Sequence, residues 1–203
     1  MPAPSRFTLP TRTLQKQWLE TGLLRDQEPM TLHSDQHFMD VALRAAVEAG
    51  HAGDVPIGAV VVHEGEIVAI ASNRREQDQD PTAHAEIIVL GQAGRALGSW
   101  RLNDCTLYVT LEPCPMCMGA AINARVGRLV FACRDPKAGA AVSLYQLGHD
   151  ERLNHRMILT EGVRRTAASR MLTGFFASLR SGERVIPEID HDVDAPLTDV
   201  PPS

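Results

Sequence analysis

The chain of 203 residues carries 44% apolar and 22% charged residues and a formal net charge of −5. This is ordinary globular usage, which excludes wholesale disorder and a fibrous repeat, and the length suits one α/β domain with chain left over rather than two full-sized domains. No window approaches the ~18 uninterrupted apolar residues of a membrane span, and no basic, apolar and small-residue leader opens the chain, so a cytoplasmic protein without membrane contact is expected.

Residues 1–35 read as an N-terminal extension. Leu14, Trp18, Leu19 and Leu23 stand at roughly helical spacing within Thr11–Leu24, which predicts a short docked helix. Arg6, Arg12 and Lys16 precede the first acid, Glu20, so an organelle transit peptide is the competing reading. The first core helix starts at Ser34, a good N-cap, runs through Phe38, Val41, Ala42, Ala45, Ala46 and Ala49 at helical intervals, and stops at Gly50. Ile57–Val62 and Ile67–Ala71 are β-rich runs on either side of Glu64-Gly65, the signature of an antiparallel hairpin. A helix from about His84 to Leu97, a strand Thr106–Leu111, a helix from Pro115 to about Ala124 and a strand Leu129–Ala132 then alternate as parallel βαβ units do. A polar loop with Asp135, Lys137 and Gly139 leads into a short helix, a strand is expected near Met157–Leu159, and a last helix spans about Arg164–Leu179.

The net negative charge lies entirely in the tail, where residues 185–203 hold 0 basic and 5 acidic groups among several prolines, the composition of a disordered segment. Residues 36–184 are balanced at 16 basic and 16 acidic groups, yet residues 36–120 hold 5 and 11 whereas residues 121–182 hold 10 and 4. A basic half is therefore available to phosphate, although scattered arginines are also what an ordinary solvated surface shows.

Cys114 and Cys117 form a C-x-x-C whose Pro115 falls at the first helical position, which sets two sulfurs on one face of a helix N-terminus. The positive helix end favours thiolates, as zinc requires, and a redox dithiol uses the same spacing. The four cysteines of a chain without a secretory leader argue against a disulfide framework in either case. His84 and Glu86 fall in the first turn of the second core helix, for which Thr82 is a suitable cap. Residues two apart diverge in mid-helix, so both serve one site only if that helix end points into it. His84, Cys114 and Cys117 together make three ligands and leave the fourth tetrahedral position of Zn²⁺ to water, the pattern of a catalytic site. Glu86 then stands beside that water and can pass its proton to a substrate nitrogen. The competing arrangement is a closed structural site with Cys105 or Cys133 as fourth ligand; both lie at or inside predicted strands and read as small buried hydrophobes.

H-x-E followed by P-C-x-x-C is the zinc deaminase motif, and through it the chain resembles the cytidine deaminase-like superfamily. It is similar in more detail to the bacterial tRNA-specific adenosine deaminases. The segments that carry this likeness are Val55-Pro56-Ile57-Gly58-Ala59-Val60, Ser72-Asn73-Arg74, Asp80-Pro81-Thr82-Ala83-His84-Ala85-Glu86, Thr106 through Cys114, Arg134-Asp135-Pro136-Lys137-Ala138-Gly139-Ala140 and Leu153-Asn154-His155-Arg156. The resemblance implies a three-layer α/β/α fold, with a mixed five-stranded sheet and helices on both faces, in a zinc-dependent deaminase domain over residues 36–184. It implies that His84, Cys114 and Cys117 hold one Zn²⁺ per subunit and that Glu86 shuttles protons. A zinc-activated water then attacks C6 of a flipped wobble adenosine in a tRNA anticodon stem-loop, so that ammonia leaves and inosine remains. On the same ground Asn73 contacts the flipped nucleotide, Ile57 and Ala83 line its pocket, and Asp135 lies beside the neighbouring anticodon nucleotide. The run Gln146-Leu147-Gly148-His149-Asp150 departs from the usual pattern before the Asn-His pair.

A deaminase of a free base or nucleoside, of guanine or cytosine type, shares the zinc motif and is the nearest rival. The Asp135-x-Lys137-x-Gly139 loop, the Asn154-His155 pair and the basic second half favour RNA, whose phosphates a free base lacks. A zinc-stabilised binding module without catalysis would leave Glu86 without a purpose. A homodimer is expected, because Met116, Met118, Ala120, Ala121, Ile122 and Ala124 make their helix apolar on nearly every side while a sheet covers only one. The alternative cover is the last helix, Arg164–Leu179, of the same chain.

Overall fold

The computed structural model describes residues 35–182 together with Ile189, so the helix expected over Thr11–Leu24 and the rest of the tail lie outside the described residues. Helix α1 (Asp35–His51) buries Phe38, Val41, Ala42, Ala45, Ala46 and Ala49, the residues whose spacing predicts it, along with Met39 and Leu43. Strands β1 (Gly58–His63) and β2 (Glu66–Ser72) are joined through Glu64-Gly65, whose φ angles of 50° and 82° are the two left-handed values that a type I′ turn demands. A single turn that periodicity does not predict, α2 (Arg75–Asp78), precedes α3 (Ala85–Leu97), which ends on Gly98 in the left-handed region. The remaining elements are β3 (Cys105–Leu111), α4 (Pro115–Asn123), β4 (Arg128–Cys133), β5 (Ile158–Glu161) and α5 (Arg165–Ser181).

The strands form one sheet in the order β2-β1-β3-β4-β5. Strand β1 runs antiparallel to β2 and β3, whereas β3, β4 and β5 are parallel, so the sheet is mixed as the resemblance implies. Helices α1 and α5 cover one face, packing on Val60, Val62, Ile70, Tyr108 and Val130. Helices α3 and α4 cover the other, on Val61, Leu107, Val109, Leu129 and Phe131. Burial on both faces explains why β1 reads as a continuous apolar run rather than an alternating one. Helix α1 lies so close to β1 that only glycine fits at position 58. A Cβ there would stand 2.0 Å from the Ala42 carbonyl oxygen and 2.6 Å from the Ala46 nitrogen.

Two local expectations are corrected. The short helix expected after Gly139 is not formed; residues 136–138 and 140–143 are turns. Its N–H groups have a different acceptor, since those of Ala141, Val142 and Ser143 all donate to the Glu112 carboxylate. Strand β5 starts at Ile158 rather than Met157 and extends to Glu161.

Strand pairing decides where the site forms. Gly58 lies opposite Ser72, Ala59 opposite Val109, and Leu111 opposite Cys133. The start of β1 and the ends of β2, β3 and β4 therefore share one end of the sheet, and the segments there carry Ile57, Asn73, Cys114 and Asp135. In open α/β sheets the crevice beyond the strand ends is the usual place for a ligand.

Candidate active site

Two helix N-termini meet at this end of the sheet. His84 is the N-cap of α3 and Cys114 the N-cap of α4, both on extended backbone, with Pro115 opening α4. Thr82 is not the cap of α3. Its N–H and hydroxyl both donate to Asp80 Oδ1 at 2.7 Å, and its carbonyl accepts the His84 N–H at 2.7 Å. The Asp80 side chain thus builds the turn that presents His84.

His84 Nδ1 is 3.8 Å from Cys114 Sγ and 3.5 Å from Cys117 Sγ, and the two sulfurs are 3.6 Å apart. Bonds of about 2.3 Å to sulfur and 2.0–2.1 Å to nitrogen around a tetrahedral ion need edges of roughly 3.5–3.8 Å, so the triangle fits one face of a zinc tetrahedron. Hydrogen bonding from the Cys117 thiol, aided by His84, pulls the Cys114 thiol down to about 4 against the opposing effect of burial. Cys105 and Cys133 take no part in this donor group. Both are buried, and desolvation pushes their thiols up to about 11, which fits small hydrophobes rather than ligands.

Glu86, in the first turn of α3, is 3% exposed, and its Oε2 is the buried side-chain oxygen that lacks any partner among the described residues. Burial raises its carboxyl above the usual value, opposed by the helix backbone and by His84. Its charge in turn helps hold the Cys117 thiol up, after the stronger effects of the Cys114 hydrogen bond and burial, so the carboxylate is close to the donor set. An unpartnered buried carboxylate oxygen destabilises a fold, which marks Oε2 as kept for a ligand or a proton.

The end of β2 is stitched to both residues expected to line the pocket. The Asn73 N–H donates to the Ile57 carbonyl at 2.9 Å, and the Arg74 N–H to the Ala83 carbonyl at 3.0 Å. The Asn73 side chain is buried and its Nδ2 donates to Asp54 Oδ1 at 3.3 Å. Asp54, wholly buried, also accepts the N–H groups of Glu76 at 2.9 Å and Gln77 at 3.2 Å, and so ties α2 to the start of β1. Asp135 is half-buried on the loop after β4; its Oδ1 accepts the N–H of Lys137 at 2.9 Å and of Ala138 at 3.1 Å. Its own N–H donates to Glu112 Oε2 at 3.0 Å. The Glu112 carboxyl is held below its usual range: burial works against this, and hydrogen bonds from Ser143 and the backbone of Val142, Ser143 and Asp135 prevail.

Sequence reasoning assigns no role to Asp54 or Glu112, although each carries a signal. Asp54 stands before Val55-Pro56 and Glu112 between Leu111 and Pro113, acids set at the edge of apolar runs. An acid in such a place is buried only where donors converge on it, and the donors come from segments distant in sequence.

The chain matches the family model of the MafB19-like deaminases over residues 33–180. A tRNA-specific adenosine deaminase of Bacillus subtilis is 47% identical to it over 150 residues, which is 74% of this chain and 93% of that protein. A structure solved in a study of A-to-I editing by tRNA:A34 deaminases at the wobble position of transfer RNA is 42% identical. Its TM-score is 0.64 over 66% of this chain and 97% of the other. A guanine deaminase from Nitrosomonas europaea is similar at 26% identity and a TM-score of 0.62, over 87% of this chain and 98% of the other.

Proposed function

The chain belongs to the deaminase family, and on that ground we propose that it hydrolyses the amidine C–N bond of adenosine at the wobble position of a tRNA anticodon, leaving inosine and ammonia. The observation that carries this reading is the Glu86 carboxylate, buried and unpartnered at Oε2 beside a three-donor set. His84, Cys114 and Cys117 would hold one Zn²⁺, which when bound supplies a water acid enough to serve as nucleophile near neutral pH. Glu86 takes one proton of the attacking water at Oε2 and delivers it to the purine nitrogen beside C6, and it then carries the second proton, from the oxygen now bonded to C6, to the departing amine. Burial, which raises the proton affinity of this carboxyl, suits the acid half of that cycle. Asn73 would contact the flipped nucleotide from its Asp54-anchored position, Ile57 and Ala83 would wall the base, and Asp135 would meet the neighbouring nucleotide.

The choice of tRNA over a free base is supported by the similarity to tRNA-specific adenosine deaminases across nearly their whole length. It is also supported by the excess of 10 basic over 4 acidic groups in residues 121–182. A free-base deaminase is the second reading, favoured by the lower similarity to the guanine enzyme. An anticodon stem-loop offered beside free adenosine, guanine and cytosine separates the two: inosine is expected in the stem-loop alone, and turnover of guanine with an untouched stem-loop would reverse the assignment. Stem-loop affinity is expected to fall by about tenfold or more between roughly 50 and 200 mM salt, as phosphate contacts release counterions. A flat salt response in a filter-binding titration would count against the phosphate-contacting surface.

We read residues 36–184 as the deaminase domain, with 1–35 and 185–203 as appendages, and the cytoplasm as the place where a tRNA substrate is met. No helix among the described residues is long and apolar enough to cross a membrane. Helix α5 lies with α1 on the opposite face of the sheet, so it does not cover the outer side of α4. Met116 is 36% exposed on that side and a Cβ at Gly119 would meet nothing within 4 Å. This supports a homodimer formed there. Sedimentation at micromolar concentration is expected to give twice the 22.2 kDa of one chain, and an active monomer would refute it.

A further inference from the structure

We propose that Glu112 is a positioning residue, which holds the 135–143 loop, and with it Asp135, in register with the zinc-ligand end of α4. This rests on the tRNA deaminase reading and deepens it by naming what places the loop that meets the neighbouring nucleotide. Glu112 is 2% exposed and stands two residues before Cys114. Its Oε1 accepts three backbone N–H groups, from Ala141 at 3.1 Å, Val142 at 2.8 Å and Ser143 at 2.9 Å. Its Oε2 accepts the Asp135 N–H at 3.0 Å and the Ser143 hydroxyl. Both ends of the loop therefore converge on one carboxylate, and the Ala140 N–H adds a bond to the Pro113 carbonyl at 2.9 Å.

The packing excludes a looser fit. A Cβ at Gly139 would stand 2.4 Å from Glu112 Oε2 and 2.6 Å from the Asp135 carbonyl oxygen, so the glycine is there to let the loop close down on the carboxylate. Hydrogen bonds to an ionised carboxylate are roughly twice as strong as neutral ones, and the donors from both ends of the loop converge on this one group. They fix position more tightly than the small apolar side chains of Ala138, Ala140 and Ala141 can. Because the peptide Glu112-Pro113-Cys114 carries both the loop's anchor and a zinc ligand, the distance from Asp135 to the reacting centre is set by this one segment.

Two variants test the proposal on the zinc-loaded full chain. Glu112→Gln keeps the side-chain shape but turns an NH₂ donor toward groups that are themselves donors. Gly139→Ala leaves the carboxylate intact and forces the loop away from it. Each is measured alone and in an Asp135→Ala background for zinc content and for KM and kcat on an anticodon stem-loop. Both are expected to keep stoichiometric zinc, to raise KM by about tenfold or more, and to change kcat by less than about threefold. In the Asp135→Ala background the further rise in KM is expected to stay under about twofold, since the substitutions act through one loop.

An unmoved KM in either folded variant, effects that multiply in the double variants, or loss of zinc would each overturn the proposal. Zinc loss would mean that Glu112 serves the metal ligands rather than the loop. If Glu112→Gln fails to fold, Gly139→Ala decides alone, because its carboxylate and charge are unaltered. Wild-type protein that leaves the stem-loop adenosine untouched would instead remove the tRNA reading, whatever the variants do.

Discussion

Replacing Glu86 by alanine is expected to lower kcat by about 10²- to 10⁴-fold, the full range assigned to a positioned proton carrier, while zinc stays bound at one ion per chain. The reason is that the three donor atoms belong to His84, Cys114 and Cys117, none of which the substitution touches. Cys117→Ser should behave differently. It replaces a fully buried sulfur at one corner of the triangle by a hydroxyl that does not ionise near neutral pH, so metal and activity are lost together. Metal analysis beside single-turnover deamination distinguishes the two variants. Near-normal turnover by zinc-loaded Glu86→Ala would sink the assigned mechanism. The same variant is expected to be at least as stable as the parent, because it removes a buried carboxylate oxygen that has no partner.

Gly58→Ala is expected to destabilise the domain by about 3 kcal/mol or more, lowering Tm by roughly 6–12 °C, because the added methyl meets helix backbone rather than a movable side chain. Its Cβ would stand 2.0 Å from the Ala42 carbonyl oxygen, 2.6 Å from the Ala46 nitrogen and 3.0 Å from the Ala45 Cβ, so α1 as a whole must move off the sheet. The effect reaches the site as well. The Gly58 N–H donates to Thr110 Oγ1 at 3.1 Å, and the neighbouring Ile57 carbonyl holds the Asn73 N–H. Gly174→Ala is the control, since a Cβ on that exposed turn of α5 meets nothing within 4 Å. It should stabilise by about 0.5–1 kcal/mol through helix propensity alone. Thermal unfolding of the two variants checks the pair, and equal melting temperatures would show that β1 and α1 are not in the contact described.

The motif residues were legible because the chemistry they share is short in range. Cys114 and Cys117 lie within one helical turn, and Pro115 announces the start of that turn, so their shared face follows from spacing alone. The hairpin at Glu64-Gly65 and the burial stripe of α1 were equally local. Two misreadings have one cause. Thr82 and the segment after Gly139 look like a helix cap and a helix when only their neighbours are considered, yet each answers to a carboxylate: Asp80 for Thr82, and Glu112 for Ala141, Val142 and Ser143. A side-chain acceptor competes with the helical pattern, and periodicity does not register it.

Readable from local sequence were the alternation of the main helices and strands, apart from α2 and the segment after Gly139, the hairpin at Glu64-Gly65, and the motif residues His84, Glu86, Cys114 and Cys117. Each depends on residues a few positions apart, where backbone geometry sets the outcome. Tertiary structure alone decided that His84 faces Cys114 and Cys117 across 30 and 33 positions of chain. It also decided that Asp54 meets Asn73 across 19 positions, and that Glu112 gathers donors 23 to 31 positions away. These meetings follow from the order β2-β1-β3-β4-β5, which brings the start of β1 and the ends of β2, β3 and β4 to one edge of the fold. Strand order is chosen by burial of both sheet faces together, a property of the whole core that no local window contains.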